Sequence, residues 1–185
     1  MTAGSGGRTE AVQDAWPGSA PIPYLRSVPD PYDTYSPHHD WGPYSFSSSR
    51  LAAALGLGSA VESVGMVRNN SFRARAVAFH LGSGAVVRRS GTQVARALHL
   101  LSSWFSIGQL QIATSSSHLL YGSRVTVTAR AANVEGAVLQ ARTANGAWRG
   151  IRNVRRVTRL NFRPRASTAY RLVAPGTNGA SISLN

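Results

Sequence analysis

Apolar positions recur at two different periods along this chain, and the change of period divides it. From Arg124 the period is two. Arg124-Val125-Thr126-Val127-Thr128-Ala129-Arg130 sets its valines on one face, as a half-buried strand requires. Ala137–Arg142 and Trp148–Val154 follow, split by Asn145-Gly146. Leu160–Phe162, Ala169–Val173 and Ser181–Leu184 complete the series. Some six short strands at this spacing predict a small β-sandwich over 121–185. Upstream the pattern is mixed. Ser47-Ser48-Ser49 can cap a short helix over Arg50–Leu55, in which Leu51 and Leu55 lie four apart and which Gly56 and Gly58 end. Val61 to Val67 alternates as a strand. Ala74–Leu81 and Ala85–Arg88 flank Gly82-Ser83-Gly84, a hairpin with a glycine loop. Val94, Ala97, Leu98 and Leu101 have helical spacing behind Thr92 as a cap, and Trp104–Ile107 reads as a closing strand.

Residues 1–47 predict little regular structure. Prolines at 17, 21, 23, 29, 31, 37 and 43 forbid long helices. Trp16, Tyr24, Leu25, Tyr32, Tyr35, Trp41 and Tyr44 lie among them, which argues for a loop stapled onto a body. The expected organisation is therefore an α+β domain over 1–110, a linker over 111–120 containing the polar run Thr114–Ser117, and an all-β sandwich-like module over 121–185. No internal repeat is evident.

Charge sharpens this division. The 185 residues carry 20 arginines, no lysine and seven acids, a formal net of +13. The all-arginine usage is most simply a GC-rich coding bias. Residues 1–67 hold three arginines and six acids, a net of −3, whereas 68–185 hold 17 arginines and Glu135, a net of +16. A unit so basic attracts polyanions. The densest run is Arg149, Arg152, Arg155, Arg156, Arg159, Arg163 and Arg165. It reads equally as a polyanion-binding series, on its first five members above all, or as a solvated face. The absence of cysteine excludes disulfides, thiolate metal sites and thiol nucleophiles. No apolar run is long enough to span a membrane, and the first residues lack the apolar core of a signal peptide.

The candidate chemistry is sparse. Glu10 and Asp14 are the first carboxylates, readable as cleft groups or as solvated, helix-capping acids. Asp30, Asp33 and Asp40 read as turn caps. His38-His39-Asp40 has no accompanying third ligand motif, so no metal is expected. A histidine packed on Trp41 or bonded to a loop carbonyl is the favoured reading. The aromatic side chains of the first segment could stack on sugar rings, with Trp16 the best placed, although stapling is favoured. Arg88 and Arg89 read as solvated surface, and Trp104 and Phe105 as core.

Three blocks in this order carry a resemblance. They are Ser5-Gly6-Gly7-Arg8-Thr9-Glu10 with Trp16; Tyr24-Leu25-Arg26-Ser27-Val28-Pro29-Asp30-Pro31-Tyr32-Asp33 with Ser36-Pro37-His38-His39-Asp40-Trp41; and Arg88–Leu98 running on to Leu101-Ser102-Ser103-Trp104-Phe105-Ser106-Ile107. Residues 5–107 thereby resemble the distal part of the SpoIID/LytB domain, the stage II sporulation protein D family. The tail resembles β-modules appended to such domains. The resemblance implies peptidoglycan as the partner, with Ser5, Gly6, Gly7, Thr9 and Trp16 as substrate-binding residues. The family is similar to lytic transglycosylases, in which a carboxylic acid protonates the glycosidic oxygen between N-acetylmuramic acid and N-acetylglucosamine. In the family that glutamate precedes the Gly-Gly-x-Thr block, and so does the Cys/His metal site of some members. The resemblance thus implies a truncated member with no catalytic residue and no cofactor of its own, inactive alone, which could complement a separate polypeptide supplying the missing part. The family works outside the cytoplasmic membrane. Two other readings stand beside it: a non-catalytic module that binds anionic wall polymer, and a basic nucleic-acid-binding protein. Against the last, no base-stacking recognition motif is present.

Overall fold

A computed structural model describes residues 5–116, 123–144, 146–163 and 166–184. Ser117 and 118–120 of the expected linker, Asn145 and Arg165 lie outside the described residues. The chain forms two compact units, Met1–Gly42 with Phe46–Ile107, and Pro43–Ser45 with Gly108–Asn185.

The first unit is organised by its hairpin. Strands β1 (Val61–Arg68), β2 (Ala74–Leu81) and β3 (Val86–Ser90) form one antiparallel sheet with β2 in the middle. Val77, Phe79 and Leu81 alternate inward on β2 and are fully buried. Helices α2 (Ser48–Leu55) and α3 (Gly91–Ala97) bring Ala52, Leu55, Val94 and Ala95 to the same core. The Ser47 hydroxyl accepts from Arg50 N, and Gly56 ends α2 at φ 61°. Helix α3 starts at Ser90 rather than Thr92. Ser90 and Gln93 form a capping box, which satisfies two helix-end N–H groups at once. The segment Trp104–Ile107 is not a strand. Phe105 is buried, and its carbonyl accepts from Arg68 Nη2 at 2.9 Å, so a side chain holds it in place of a ladder.

The second unit consists of two antiparallel sheets. One has the order β4 (Gln109–Thr114), β5 (Val125–Ala132), β8 (Val157–Phe162). The other runs β7 (Arg149–Asn153), β6 (Val138–Thr143), β9 (Thr168–Ala174), β10 (Thr177–Leu184). Val125, Val127, Ala129 and Ala131 of β5 share a core with Leu139 of β6 and with Tyr170 and Leu172 of β9. Phe162 and Tyr170 stack with centroids 5.0 Å apart.

The expected fold class, an α+β domain followed by a sandwich, is corrected. Among the described residues strand outweighs helix, 39% to 14%, in three antiparallel sheets with only three α-helices. Those helices span four, eight and seven residues: α1 (Val12–Ala15) stops just before Trp16-Pro17, α2 at Gly56, and α3 at Leu98, after which His99 turns to φ 54°. The expected linker also begins as strand. Leu110 and Ile112 alternate inward, and β4 pairs with β5 from Gln109↔Ala132 to Thr114↔Val127. The Ser-rich run that follows concealed this alternation.

Candidate functional site

The proline-rich segment of the first unit folds back on the chain start. Thr9 N donates to Val28 O, Asp30 N to Gly7 O and Val12 N to Leu25 O, each at 2.9 Å. The prolines limit ladder formation, and side chains supply the remaining bonds. Val28 N donates to Thr9 Oγ1 at 3.0 Å, and the Arg8 guanidinium lies 5.6 Å from the Phe72 ring centroid.

Asp33 is the hub of this arrangement. It is 6% exposed, on a 3-10 turn over Pro31–Tyr35 that Asp30 caps by accepting from Tyr32 N. Its carboxylate accepts from Ser5 N, from Gly7 N at 3.1 Å and from His39 Nδ1 at 2.7 Å. The His39 bond, with help from the backbone donors, holds its pKa at about 2, although burial opposes this. Asp33 in turn raises the pKa of His39, and Asp40 adds to that. The two shifts fix a pH window. Asp33 contributes stability above its ordinary 3.8 and loses it as the pH falls through about 2; His39 contributes below its ordinary 6.5 and loses it as the pH rises through its raised value. The pair therefore holds the segment best from about pH 4 to 6.5. The stability lost in His39→Gln, measured by denaturant unfolding, is expected to be larger at pH 5 than at pH 9. An equal loss at both would contradict the ion pair.

Glu10 and Arg73 make the second cluster. Arg73 is 3% exposed, a burial that a guanidinium tolerates only with partners. Its Nε lies 3.2 Å from Glu10 Oε2, and its Nη2 donates to Ser5 O at 3.3 Å. Asn69 Nδ2 donates to Glu10 Oε1 at 3.3 Å, so both Glu10 oxygens are engaged. Asn69 Oδ1 also accepts from Ser71 N and Arg73 N, closing the turn that delivers Arg73. Glu10 lines an open groove of about 630 Å³ with Thr9, Pro23, Tyr24, Leu25, Arg26 and Val28.

The expected site residues separate. Thr9 and Glu10 line the groove. Ser5 and Gly7 belong to the hub, where Asp33 occupies their amides. Gly6 has φ 70° and lies against Trp104, where an added Cβ would stand 2.5 Å from the ring. Asp14, on α1, is not a lining residue of the groove, and its buried Oδ2 has no protein partner. Trp16 follows α1 and is exposed. The stapling reading of the aromatic side chains holds only for Trp41, which packs against the core. Trp16, Tyr24, Tyr32 and Tyr35 are 67%, 83%, 75% and 84% exposed. His38, His39, Trp41 and Trp104 line a small recess with Gly6, Leu101 and Ser102. Among the described residues no three His, Cys, Asp or Glu side chains gather as a metal would need.

The arginine series of the second unit lies along its edges. Arg149 and Arg152 are on β7, the edge of one sheet; Arg159 is on β8, the edge of the other. Arg155 and Arg156 lie in the short crossing between them, pinned by buried Val154. All five are exposed, and among the described residues none forms an ion pair. Charge on edge strands also blocks edge-to-edge pairing, a structural role of its own. No helix of the described residues is long and apolar enough to cross a membrane.

Arg73 is the site residue that sequence reasoning missed; for His39, singled out beforehand, the partner is the Asp33 carboxylate rather than a loop carbonyl. Arg73 stands between the polar run Asn69-Asn70-Ser71 and Arg75, so nothing in the local sequence marks it for burial. Compared with known proteins, the chain matches no family model, no curated protein and no solved structure.

Proposed function

We propose that this chain binds the glycan strands of peptidoglycan through the Glu10 groove, as a relative of the SpoIID/LytB domain family acting in wall remodelling. The observation that carries this reading is a carboxylate held by Arg73 and Asn69 in an open groove beside the exposed Tyr24 ring. Sugars need this combination: a fixed acceptor for hydroxyl groups and an aromatic face for C–H surfaces. Trp16, Tyr32 and Tyr35 add open aromatic surface on the same segment, and exposed apolar area of this kind marks interaction sites.

The chemistry supports binding over cleavage. A general acid must offer a proton to the glycosidic oxygen. Asp33 is held ionised, with a pKa of about 2. An ionised Asp33 has no proton to give. Glu10 accepts from Asn69 Nδ2 and is ion-paired with the buried Arg73 guanidinium.

The test is sedimentation of the full chain with stripped glycan strands, with analysis of the supernatant for anhydromuramic ends. Retention without release of such ends is expected. Tyr24→Ala is expected to weaken retention about tenfold, the scale of one aromatic contact. Tyr24 is exposed, so this variant leaves the core intact. Glu10→Gln strands the buried Arg73 charge and is read together with its unfolding curve. Unchanged retention in Tyr24→Ala would remove the groove from the account.

A further inference from the structure

The outer face of the four-stranded sheet carries a cluster that the glycan reading does not use. Leu139, Tyr170 and Leu172 turn into the core, so their neighbours Gln140, Arg142 and Arg171 face outward. Register places Gln140 opposite Arg171 and Arg142 opposite Ala169, with Ser181 on the far side of Arg171. Trp148, just before β7, receives both cations. The Arg171 guanidinium lies 4.3 Å from the indole centroid and that of Arg142 lies 4.7 Å away. Gln140 Oε1 accepts from Arg171 Nε at 2.8 Å, which fixes the plane of that guanidinium.

Two like charges on one ring repel each other, and an anion between them would relieve this. No acid does so here. Glu135 is the only acid of residues 108–185, against 11 arginines. Among the described residues neither Arg142 nor Arg171 forms an ion pair. A guanidinium stacked on an aromatic ring keeps its N–H edge free for bidentate bonding to an oxyanion. Arg171 still has its Nη groups to offer, while Arg142 is exposed. We propose that Arg142, Trp148 and Arg171 form an oxyanion-binding site for a linear anionic polymer that bears phosphate or carboxylate groups and no bases. Bases are disfavoured because they need open aromatic platforms. At this cluster the aromatic ring is Trp148, and the two cations already stack on it.

The inference is independent of the glycan groove, which lies in the other unit. It is tested on the full chain by titration with poly(glycerol phosphate), polygalacturonate and a single-stranded oligodeoxynucleotide at several salt concentrations. The first two distinguish phosphate from carboxylate as the preferred group. The wild type is expected to bind at least one of them more tightly than the oligonucleotide. Arg142→Lys with Arg171→Lys keeps the charge but loses the planar fork, and is expected to weaken binding about tenfold. Arg88→Gln with Arg89→Gln removes two charges elsewhere and is expected to change it less than twofold. Trp148→Phe is expected to fall between these. If the lysine variant binds like the wild type, the cluster only stiffens the sheet and the proposal fails. It fails equally if the Arg88/Arg89 variant loses as much as the lysine variant, or if the oligonucleotide binds most tightly.

Discussion

Asp33→Ala is expected to release the chain start from the proline-rich segment and to cost about 3 kcal/mol, the scale of losing charge-assisted bonds and leaving their donors unpaired. The carboxylate serves Ser5 N, Gly7 N and His39 Nδ1 together. Prolines leave this segment few ladder bonds that could compensate. Hydrogen exchange should show it locally. The amides of Thr9, Val28 and Asp30, which bridge the two segments, are expected to lose protection, whereas those of β2 keep theirs. Glycan retention should fall as well, because Thr9, Glu10 and Val28 shape the groove. Asp33→Asn keeps acceptor capacity for one amide and should recover part of the stability but not its pH dependence. If the Thr9 and Val28 amides exchange in Asp33→Ala as in the wild type, the hub assignment is wrong.

Gly91→Ala is expected to be as damaging, for a different reason. Gly91 is the first residue of α3, at the corner where β3 turns into the helix. A Cβ there would stand 1.8 Å from the Ala74 carbonyl oxygen and 2.7 Å from its carbon. Both are backbone atoms of β2, so no side-chain rotation relieves the overlap. Alanine elsewhere in a helix is favourable, but here α3 must move off the sheet, at about 3 kcal/mol for overpacking of a dense core. The shift would uncover Val94 and Ala95. The neighbouring Ser90→Ala, which removes only the cap, is expected to cost about 1 kcal/mol. Denaturant curves of the two variants should therefore separate clearly; a Gly91→Ala loss no larger than that of Ser90→Ala would contradict the close packing.

The parts of the fold that were legible are those in which one local signal decides the outcome. Gly82-Ser83-Gly84 turns β2 into β3, and Ser47 with Gly56 brackets α2. The parts that were not legible depend on partners distant in sequence. Strand β4 exists because Leu110 and Ile112 find the β5 core; alone, its residues beside a Ser-rich run look like connector. Asp33 had the composition of a turn cap, and only its burial against Ser5, Gly7 and His39 makes it a hub. Arg73 meets Glu10 across 63 positions, and Arg142 meets Trp148 only once the sheet register is set. The carboxylates Glu10 and Asp14 were visible from the start, but only the structure separates the one in the groove from the one on α1. The aromatic residues were visible too, yet their density gave no sign that most would face solvent.

The proposal that the Glu10 groove binds glycan is tested most directly by hydrogen exchange of the full chain with and without a soluble strand of alternating N-acetylglucosamine and N-acetylmuramic acid. Protection is expected at residues 9–10 and 24–28, and is expected to be lost there in Tyr24→Ala. Protection that spares the groove and falls elsewhere, or no protection at saturating strand, would contradict it.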